Sequence, residues 1–330
     1  MAARTASTFA ISIALVTASV VGTAPSASAD LVTYCVGSGG AVTVPNDLFV
    51  PAGESCSLRG TTVTGDVRVA AGANLVISGG RVNGAVAVAA DGYLDATDTR
   101  VDGAVTLAAG GFGVFLKNSD TGGVVLQPKG SAAIEGFLFA ERGSKVDGTV
   151  TAGVGEVVLT DSEVTGNVGT NGAYFTDVHG TFVDGTLSVL NNATGSVVCG
   201  SAVQGKSTFA GNVGGVQLGP NGGLDTCASG GYFARDVSVS NTTGGRTTLD
   251  DNVINGALTL TANTPVGEVA ANNRIRGGVV GERSEPTAAK AATAEGTRGT
   301  AKERAANRLA RVDAAVAVKG KARLRGELHP

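Results

Sequence analysis

The chain has 330 residues, of which 51 are glycine and none is tryptophan, and its 25 basic and 28 acidic side chains leave a net charge of −3. This nearly balanced charge argues against the strongly basic surface that nucleic-acid binding requires, so we expect no nucleic-acid partner. Only two histidines are present, His179 and His329, too few for a three-histidine metal site, and we predict no metal ion or other cofactor.

Residues 1–29 have the pattern of a secretory signal peptide. Arg4 precedes an apolar run over residues 9–21, and Ala27-Ser28-Ala29 follows as a small-residue cleavage site. The run is too short for a membrane-spanning helix of about 20 residues, and no later stretch is long and apolar enough to span a membrane. We therefore predict a secreted protein, located outside the cell or in the cell wall, without a transmembrane anchor.

Four cysteines fit the oxidising environment of an exported protein. Three pairings exist for them, and their positions favour two local disulfides, Cys35–Cys56 and Cys199–Cys227. We interpret residues 30–61, which the first disulfide would close, as an N-terminal cap, because the strand-like pieces there are interrupted by prolines and an end coil needs a cover.

A short repeat organises residues 62–281. The pattern Val-x-Gly-x-Val-x-Val/Leu begins at Val63, Val82 and Val101, each copy 19 residues after the last. Its glycine recurs at Gly65, Gly84, Gly103, Gly123, Gly148, Gly166, Gly185, Gly205, Gly256 and Gly277. Such a period indicates a solenoid. With one degenerate coil at residues 233–239, the repeat predicts an all-β fold: a single parallel β-helix of about 11 coils of 19–20 residues, wound right-handed.

Residues 282–330 differ in kind, since they hold 11 basic and 6 acidic side chains and lack the valine alternation. Residues 301–318 have a weakly amphipathic helical pattern. We interpret this segment as a basic tail that is disordered or partly helical. An alternative role for the tail is electrostatic attachment to an anionic wall polymer.

Polar residues occupy the position between valine and glycine in the repeat. Asp102, Asp147 and Asp184 are thereby predicted to line one face at two-coil intervals. Carboxylates two coils apart could serve as the acid and the base of an inverting glycosidase, but we expect no wall of aromatic residues there to hold a sugar ring. Calcium binding would need more oxygen ligands at one point, so we interpret the three residues as a solvated polar ladder.

Three further patterns raise the question of catalysis. Residues 200–207 match the phosphate-binding pattern G-x-x-x-x-G-K-[ST], but no helix is predicted after them, so we interpret the match as coincidence. Asp177 and His179 share one side of a strand without a nucleophile. Lys145 beside Asp147, and Arg100 beside Asp102, are the only pairs that could supply the base and carboxylate of a polysaccharide lyase, so no catalytic residue is predicted.

Several phrases of the chain resemble a family of exported actinobacterial β-helix-repeat proteins. They are residues 50–56 (VPAGESC), 62–67 (TVTGDV) and 272–277 (NNRIRG), and the resemblance covers about residues 31–281. The family's coils are of the type T-V-x-G-N-V, whereas only Asn167 keeps that asparagine here. The resemblance implies a β-helix closed by cysteines at its start and implies no particular activity. The repeat is also similar to that of bactofilins, which polymerise inside cells.

These observations favour a non-catalytic, secreted β-solenoid that serves as an extracellular or cell-surface scaffold or binding module. Its expected partner is cell-wall polymer or extracellular polysaccharide. One alternative is a polysaccharide-active enzyme similar to pectate lyases, and another is a bactofilin-like protein that self-associates through its coil ends.

Overall fold

A computed structural model of the chain describes residues 31–131 and 136–286. These residues form strands, turns and bends, with no helix among them, and every strand pairing is parallel. The strands belong to one 23-stranded and one 13-stranded sheet. The fold is therefore a parallel β-solenoid of about 13 turns, which confirms the all-β parallel β-helix. Right-handed winding stays a prediction.

The strands in chain order are β1 (Val32–Tyr34), β2 (Gly37–Gly39), β3 (Thr43–Val44), β4 (Asp47–Val50), β5 (Ser55–Arg59), β6 (Thr62–Val63), β7 (Val67–Val69), β8 (Asn74–Ser78), β9 (Arg81–Val82), β10 (Val86–Val88), β11 (Tyr93–Thr97), β12 (Arg100–Leu107), β13 (Gly113–Lys117), β14 (Asp120–Leu126), β15 (Phe137–Glu141), β16 (Lys145–Val146), β17 (Val150–Ala152), β18 (Glu156–Thr160), β19 (Glu163–Val164), β20 (Val168–Asn171), β21 (Phe175–His179), β22 (Phe182–Val183), β23 (Leu187–Leu190), β24 (Ser196–Cys199), β25 (Ala202–Val203), β26 (Ser207–Ala210), β27 (Val216–Leu218), β28 (Tyr232–Phe233), β29 (Val237–Ser240), β30 (Thr247–Leu249), β31 (Val253–Ile254), β32 (Leu258–Thr261), β33 (Gly267–Val269), β34 (Arg274–Ile275), β35 (Val279–Gly281) and β36 (Arg283–Ser284).

A typical coil has three strands, as in β6, β7 and β8. The first has two residues, the second has three and the third has five. The third strands of all coils form the 13-stranded sheet, and the others form the 23-stranded sheet. Equivalent residues stack between coils, as when Leu94 pairs with Leu75 below and Val114 above.

Eleven coils begin between residues 62 and 281, as the repeat predicts, and they comprise β6 to β36. Two further coils precede them, because β1 pairs with β4, β2 with β5 and β3 with β6 in the same parallel manner. The predicted count of about 11 was therefore too low by two. The described part of residues 30–61, the segment interpreted above as a cap, forms these first two coils of the solenoid.

Valine and leucine fill the interior. Val82, Val86 and Val88 point inward and are each 1% exposed, whereas Asn83 and Ala87 between them are exposed. One continuous core cluster runs from Cys35 to Leu260. Full burial of a valine or leucine side chain stabilises the fold by about 1.5–3 kcal/mol, so the repeated apolar positions hold the coils together.

The corner after most third strands carries a hydroxyl or an amide that is buried. Before it stands a residue with positive φ, such as Asp98 (φ 48°) before Thr99 or Asp161 (φ 47°) before Ser162. Asp and Asn tolerate this left-handed conformation better than most residues. The buried corner residues are Thr99, Ser119, Ser144, Ser162, Thr181, Ser201 and Asn252.

Two excursions interrupt the regular coils. One follows β14, where residues 132–135 lie outside the described ranges, and the other occupies residues 219–231 between β27 and β28. Both favoured disulfides are formed, Cys35–Cys56 with Cα atoms 5.5 Å apart and Cys199–Cys227 with Cα atoms 5.4 Å apart. The predicted signal peptide, and residues 287–330 of the predicted tail, lie outside the described residues.

Candidate functional site

The outer side of the two-residue strands forms one continuous face, which we call the ladder face. Its first row follows the strand register through Thr62, Arg81, Arg100, Asp120, Lys145, Glu163, Phe182, Ala202, Tyr232, Val253 and Arg274. The row is charged from Arg81 to Glu163 and apolar from Phe182 to Val253. A second row, two residues further along each coil, contains the three predicted carboxylates Asp102, Asp147 and Asp184.

Ion pairs link the charged half of the ladder face. Asp102 accepts from the guanidinium groups of Arg81 at 2.5 Å and Arg100 at 2.6 Å. Lys145 Nζ lies 3.2 Å from an oxygen of Asp147 and 3.4 Å from one of Glu163. Asp102 and Asp147 therefore neutralise cations of the first row, which adds ion pairs to the polar ladder predicted for them.

These ion pairs favour the charged forms of Lys145, Arg100 and Asp102, the groups considered above for lyase chemistry. The hydrogen bonds that Lys145 donates to Asp147 and then to Glu163 raise the pKa of Lys145 above its usual range. A hydrogen bond to Asp102 raises the pKa of Arg100 in the same way, and the pKa of Asp102 is lowered chiefly by that bond. Both cations stay protonated at neutral pH, so neither is suited to remove a proton as a general base.

The apolar half of the ladder face carries two solvent-exposed rings. Phe182 is 40% exposed and Tyr232 is 39% exposed, and Ala202 stands between them in the strand register. The two rings are therefore two coils apart, about 9.6 Å at 4.8 Å per coil. The Nδ2 of Asn255 donates a hydrogen bond of 2.7 Å to the Tyr232 hydroxyl. The ladder face thus carries two aromatic rings, although no wall of aromatic residues is predicted for it.

The phosphate-binding match lies in ordinary solenoid structure. Residues 200–207 run from the end of β24 through β25 into β26, and no helix follows. Gly205 donates its N–H to the carbonyl oxygen of Gly185 in the adjacent coil at 2.9 Å, and Gly103 and Gly185 make the equivalent bond to the preceding repeat glycine. The match is therefore a consequence of the repeat, as the sequence indicated.

A third group of polar residues gathers under the excursion at residues 219–231. Asp177 and His179 both point outward from β21, and Asp225 of the excursion meets them, with ligand atoms of all three within 4.8 Å of one another. Two carboxylates and an imidazole are donors that divalent transition metals accept. His179 also lies near Cys199 and Cys227, but those sulfurs are joined in a disulfide. The sequence did not predict a role for Asp225, because the repeat does not determine which part of the excursion lies beside Asp177 and His179.

Within the described ranges there is no helix of a length and apolarity that would cross a membrane. Comparisons of the chain with protein-family models, with curated proteins and with solved structures find no match. The resemblance to exported β-helix-repeat proteins stays a prediction.

Proposed function

We propose that this protein is an exported, non-catalytic β-solenoid whose ladder face binds an extracellular or cell-wall polysaccharide. The observation that carries the proposal is the pair Phe182 and Tyr232, both partly exposed and two coils apart on the ladder face. Aromatic rings offer large apolar surfaces with fixed orientation at a low entropy of ordering. Sugar rings carry C–H faces that pack on such surfaces.

The spacing of the rings suits a repeating ligand. Two coils separate them by about 9.6 Å, which is comparable with the two-residue repeat of an extended β-1,4-linked glycan. Ala202 between the rings leaves the intervening sugar unobstructed. Gln204 and Asn255 in the second row supply hydrogen-bonding groups for hydroxyls along the edge of the chain.

Export is proposed from independent features. Two disulfides occur in the described chain, and such bonds persist chiefly in oxidising compartments. The predicted signal peptide at residues 1–29 and the resemblance to exported proteins point the same way. A place outside the cell would bring the ladder face into contact with structural polysaccharide.

The proposal is tested by pull-down on a panel of insoluble glycans, including cellulose, chitin and peptidoglycan. Phe182→Ala and Tyr232→Ala should each weaken binding about tenfold, equivalent to about 1.4 kcal/mol. Tyr174→Ala is the matched control, because Tyr174 is 50% exposed but lies outside the ladder face, and it should bind like the wild type. Retention that survives the loss of both rings would contradict the proposal, and so would an absence of binding to the whole panel.

The lyase alternative has no supporting group on the ladder face, since the cations proposed as bases are held protonated there. Unsaturated product released from acidic polysaccharides would nevertheless establish it. Self-association is the second candidate function, because the first coil exposes apolar side chains: Leu31 is 68% exposed, Tyr34 63% and Val42 44%. Exposed apolar groups at a strand edge favour pairing with a further strand.

A further inference from the structure

The outer side of the 13-stranded sheet carries an apolar patch that differs from the ladder face. Its central row runs in register through Asp95, Phe115, Phe139, Val158 and Asp177. We call Tyr93, Phe115, Phe137, Phe139 and Val158 the aromatic patch. Phe139 stacks on Phe137 with ring centroids 4.4 Å apart, and Tyr93 packs at 6.2 Å from Phe137.

Most of the aromatic patch is buried although it points away from the solenoid interior. Val158 and Tyr93 are 0% exposed, and Phe137 and Phe139 are 1% exposed. Side chains on the outer side of a single-layer wall keep solvent above them unless a further layer of chain covers them. Near-complete burial of the patch therefore requires such a layer.

The same row shows what a cover looks like two coils further on. The excursion at residues 219–231 lies over Val197 and Gln217, and Gln217 Nε2 donates to the carbonyl oxygen of Asp225 at 2.8 Å. Leu224 of this excursion packs on Phe175 and Val197, which form a cluster separate from the aromatic patch. The excursion therefore explains the burial of the side chains around Val197. The burial of the aromatic patch must come from a different segment.

The rim of the patch is acidic. The neighbouring strands β11, β13, β15, β18 and β21 place four carboxylates on their outward side: Asp95, Glu141, Glu156 and Asp177. Lys117 is the one lysine or arginine among the outward residues of these strands. His179 is the other titratable base on that side, at the end of β21. Asp177 is only 3% exposed, and burial raises the pKa of Asp95. The covering segment should therefore combine apolar and basic side chains.

We propose that residues 287–330 of this chain bind over the aromatic patch. These 44 residues hold 10 lysines and arginines against 4 acidic residues, and they place Leu309, Val312 and Val316 at the i, i+3, i+7 spacing of one helix face. Residues 1–30 contain a single basic side chain, Arg4, and the excursion over residues 127–136 also contains only one, Lys129, against Glu135. Charge complementarity thus selects the C-terminal segment.

The C-terminal segment begins next to the 13-stranded sheet and is long enough to reach the aromatic patch. The last described strand, β36, belongs to the 13-stranded sheet, and its Ser284 pairs with Glu268 at the end of the same central row. β18 lies six strands away in that sheet, about 29 Å. A chain of 44 residues spans about 66 Å even when fully helical, so it reaches the whole patch.

The test uses the full-length chain with a specific protease site inserted between Pro286 and Thr287 and with the substitution Phe139→Trp. The chain has no native tryptophan, so the fluorescence reports on this position alone. Emission should be that of a buried indole before cleavage and after cleavage at low salt. It should shift to longer wavelength when about 1 M salt, where the Debye length is about 3 Å, releases the segment. Phe182→Trp on the ladder face is the control, with solvent-exposed emission throughout.

Size-exclusion chromatography of the cleaved wild-type chain gives a readout without the tryptophan. The released segment should co-elute with the solenoid at low salt and separate at high salt. Glu156→Lys together with Asp177→Asn should release it at several-fold lower salt, whereas Glu163→Lys on the ladder face should not. The proposal would be overturned if the cleaved segment separated from the solenoid at low salt. It would also be overturned if the emission of Phe139→Trp stayed the same after the segment was removed.

Discussion

Single buried polar atoms at the corner after most third strands connect one coil to the next. The hydroxyl of Ser119 accepts a hydrogen bond of 3.1 Å from the backbone N–H of Thr99. The same hydroxyl lies within donating distance of two carbonyl oxygens, that of Ala96 at 3.0 Å and that of Lys117 at 2.9 Å. Ser119 is 2% exposed, so water does not compete for these groups. One hydroxyl therefore satisfies backbone groups of two coils at once.

Replacing Ser119 with alanine should lower the free energy of unfolding by about 1–3 kcal/mol, because the buried N–H of Thr99 loses its acceptor. The measurement is the midpoint of urea unfolding followed by circular dichroism. Ser119→Thr is the matched control, since threonine occupies the equivalent corner at Thr99 and Thr181. An alanine variant as stable as the wild type would show that the hydroxyl contributes nothing net.

At the scale of the element, the repeat glycine is explained by how closely adjacent coils approach. The N–H of Gly103 donates to the carbonyl oxygen of Gly84 at 3.1 Å. A Cβ atom at Gly103 would lie 2.6 Å from that same oxygen, closer than real Cβ contacts permit. At Gly103 the adjacent coil is thus too close for a side chain. A Cβ atom would meet the same obstacle at Gly84, Gly166 and Gly185, which accounts for the recurrence of glycine at this position.

Gly103→Ala should therefore destabilise the solenoid by about 1–3 kcal/mol, the usual range for forcing an extra methyl group into a packed site. Gly40→Ala is the control, because a Cβ at Gly40 meets nothing within 4 Å. Thermal unfolding of the two variants and the wild type compares them directly. Equal melting temperatures for Gly103→Ala and the wild type would show that adjacent coils move apart without a penalty.

The sequence predicted the regular elements because their causes are local. Alternation of valine with polar residues fixes which side chains point inward, as at Val86 and Val88, and the period fixes where coils stack. The first two coils escaped prediction since Pro45-Asn46-Asp47 replaces the segment that elsewhere contains the repeat glycine. Their strands still pair in register, because the inward positions Val44 and Leu48 stay apolar.

The candidate sites depend on contacts that the repeat does not encode. Phe182 and Tyr232 are 50 residues apart in sequence, yet only one coil lies between theirs, because the excursion at residues 219–231 intervenes. Strand β15 is apolar on both sides, so alternation could not identify Phe137 and Phe139 as outward residues. Both features follow from where long excursions return to the solenoid, which sequence periodicity leaves open.

For the molecule as a whole, the ends of the solenoid are unlike its middle. An internal coil is covered by a neighbour on each side, whereas within the described chain β1 pairs only with β4. Tyr34 at this end packs edge-on against Phe49 at 5.5 Å and is still 63% exposed. An open strand edge with apolar side chains is a template for another chain, and solenoid proteins remain soluble when polar capping covers it.

The exposed first coil therefore predicts self-association through this end. Sedimentation velocity should show a wild-type sedimentation coefficient that rises with protein concentration, and Leu31→Lys combined with Tyr34→Lys should keep the protein monomeric, since charge at a strand edge opposes pairing. Tyr174→Lys places the same charge at another exposed tyrosine and should associate as the wild type does. A wild-type chain that stays monomeric at every concentration would exclude assembly through the coil ends and would leave polysaccharide binding as the remaining proposed role of the solenoid.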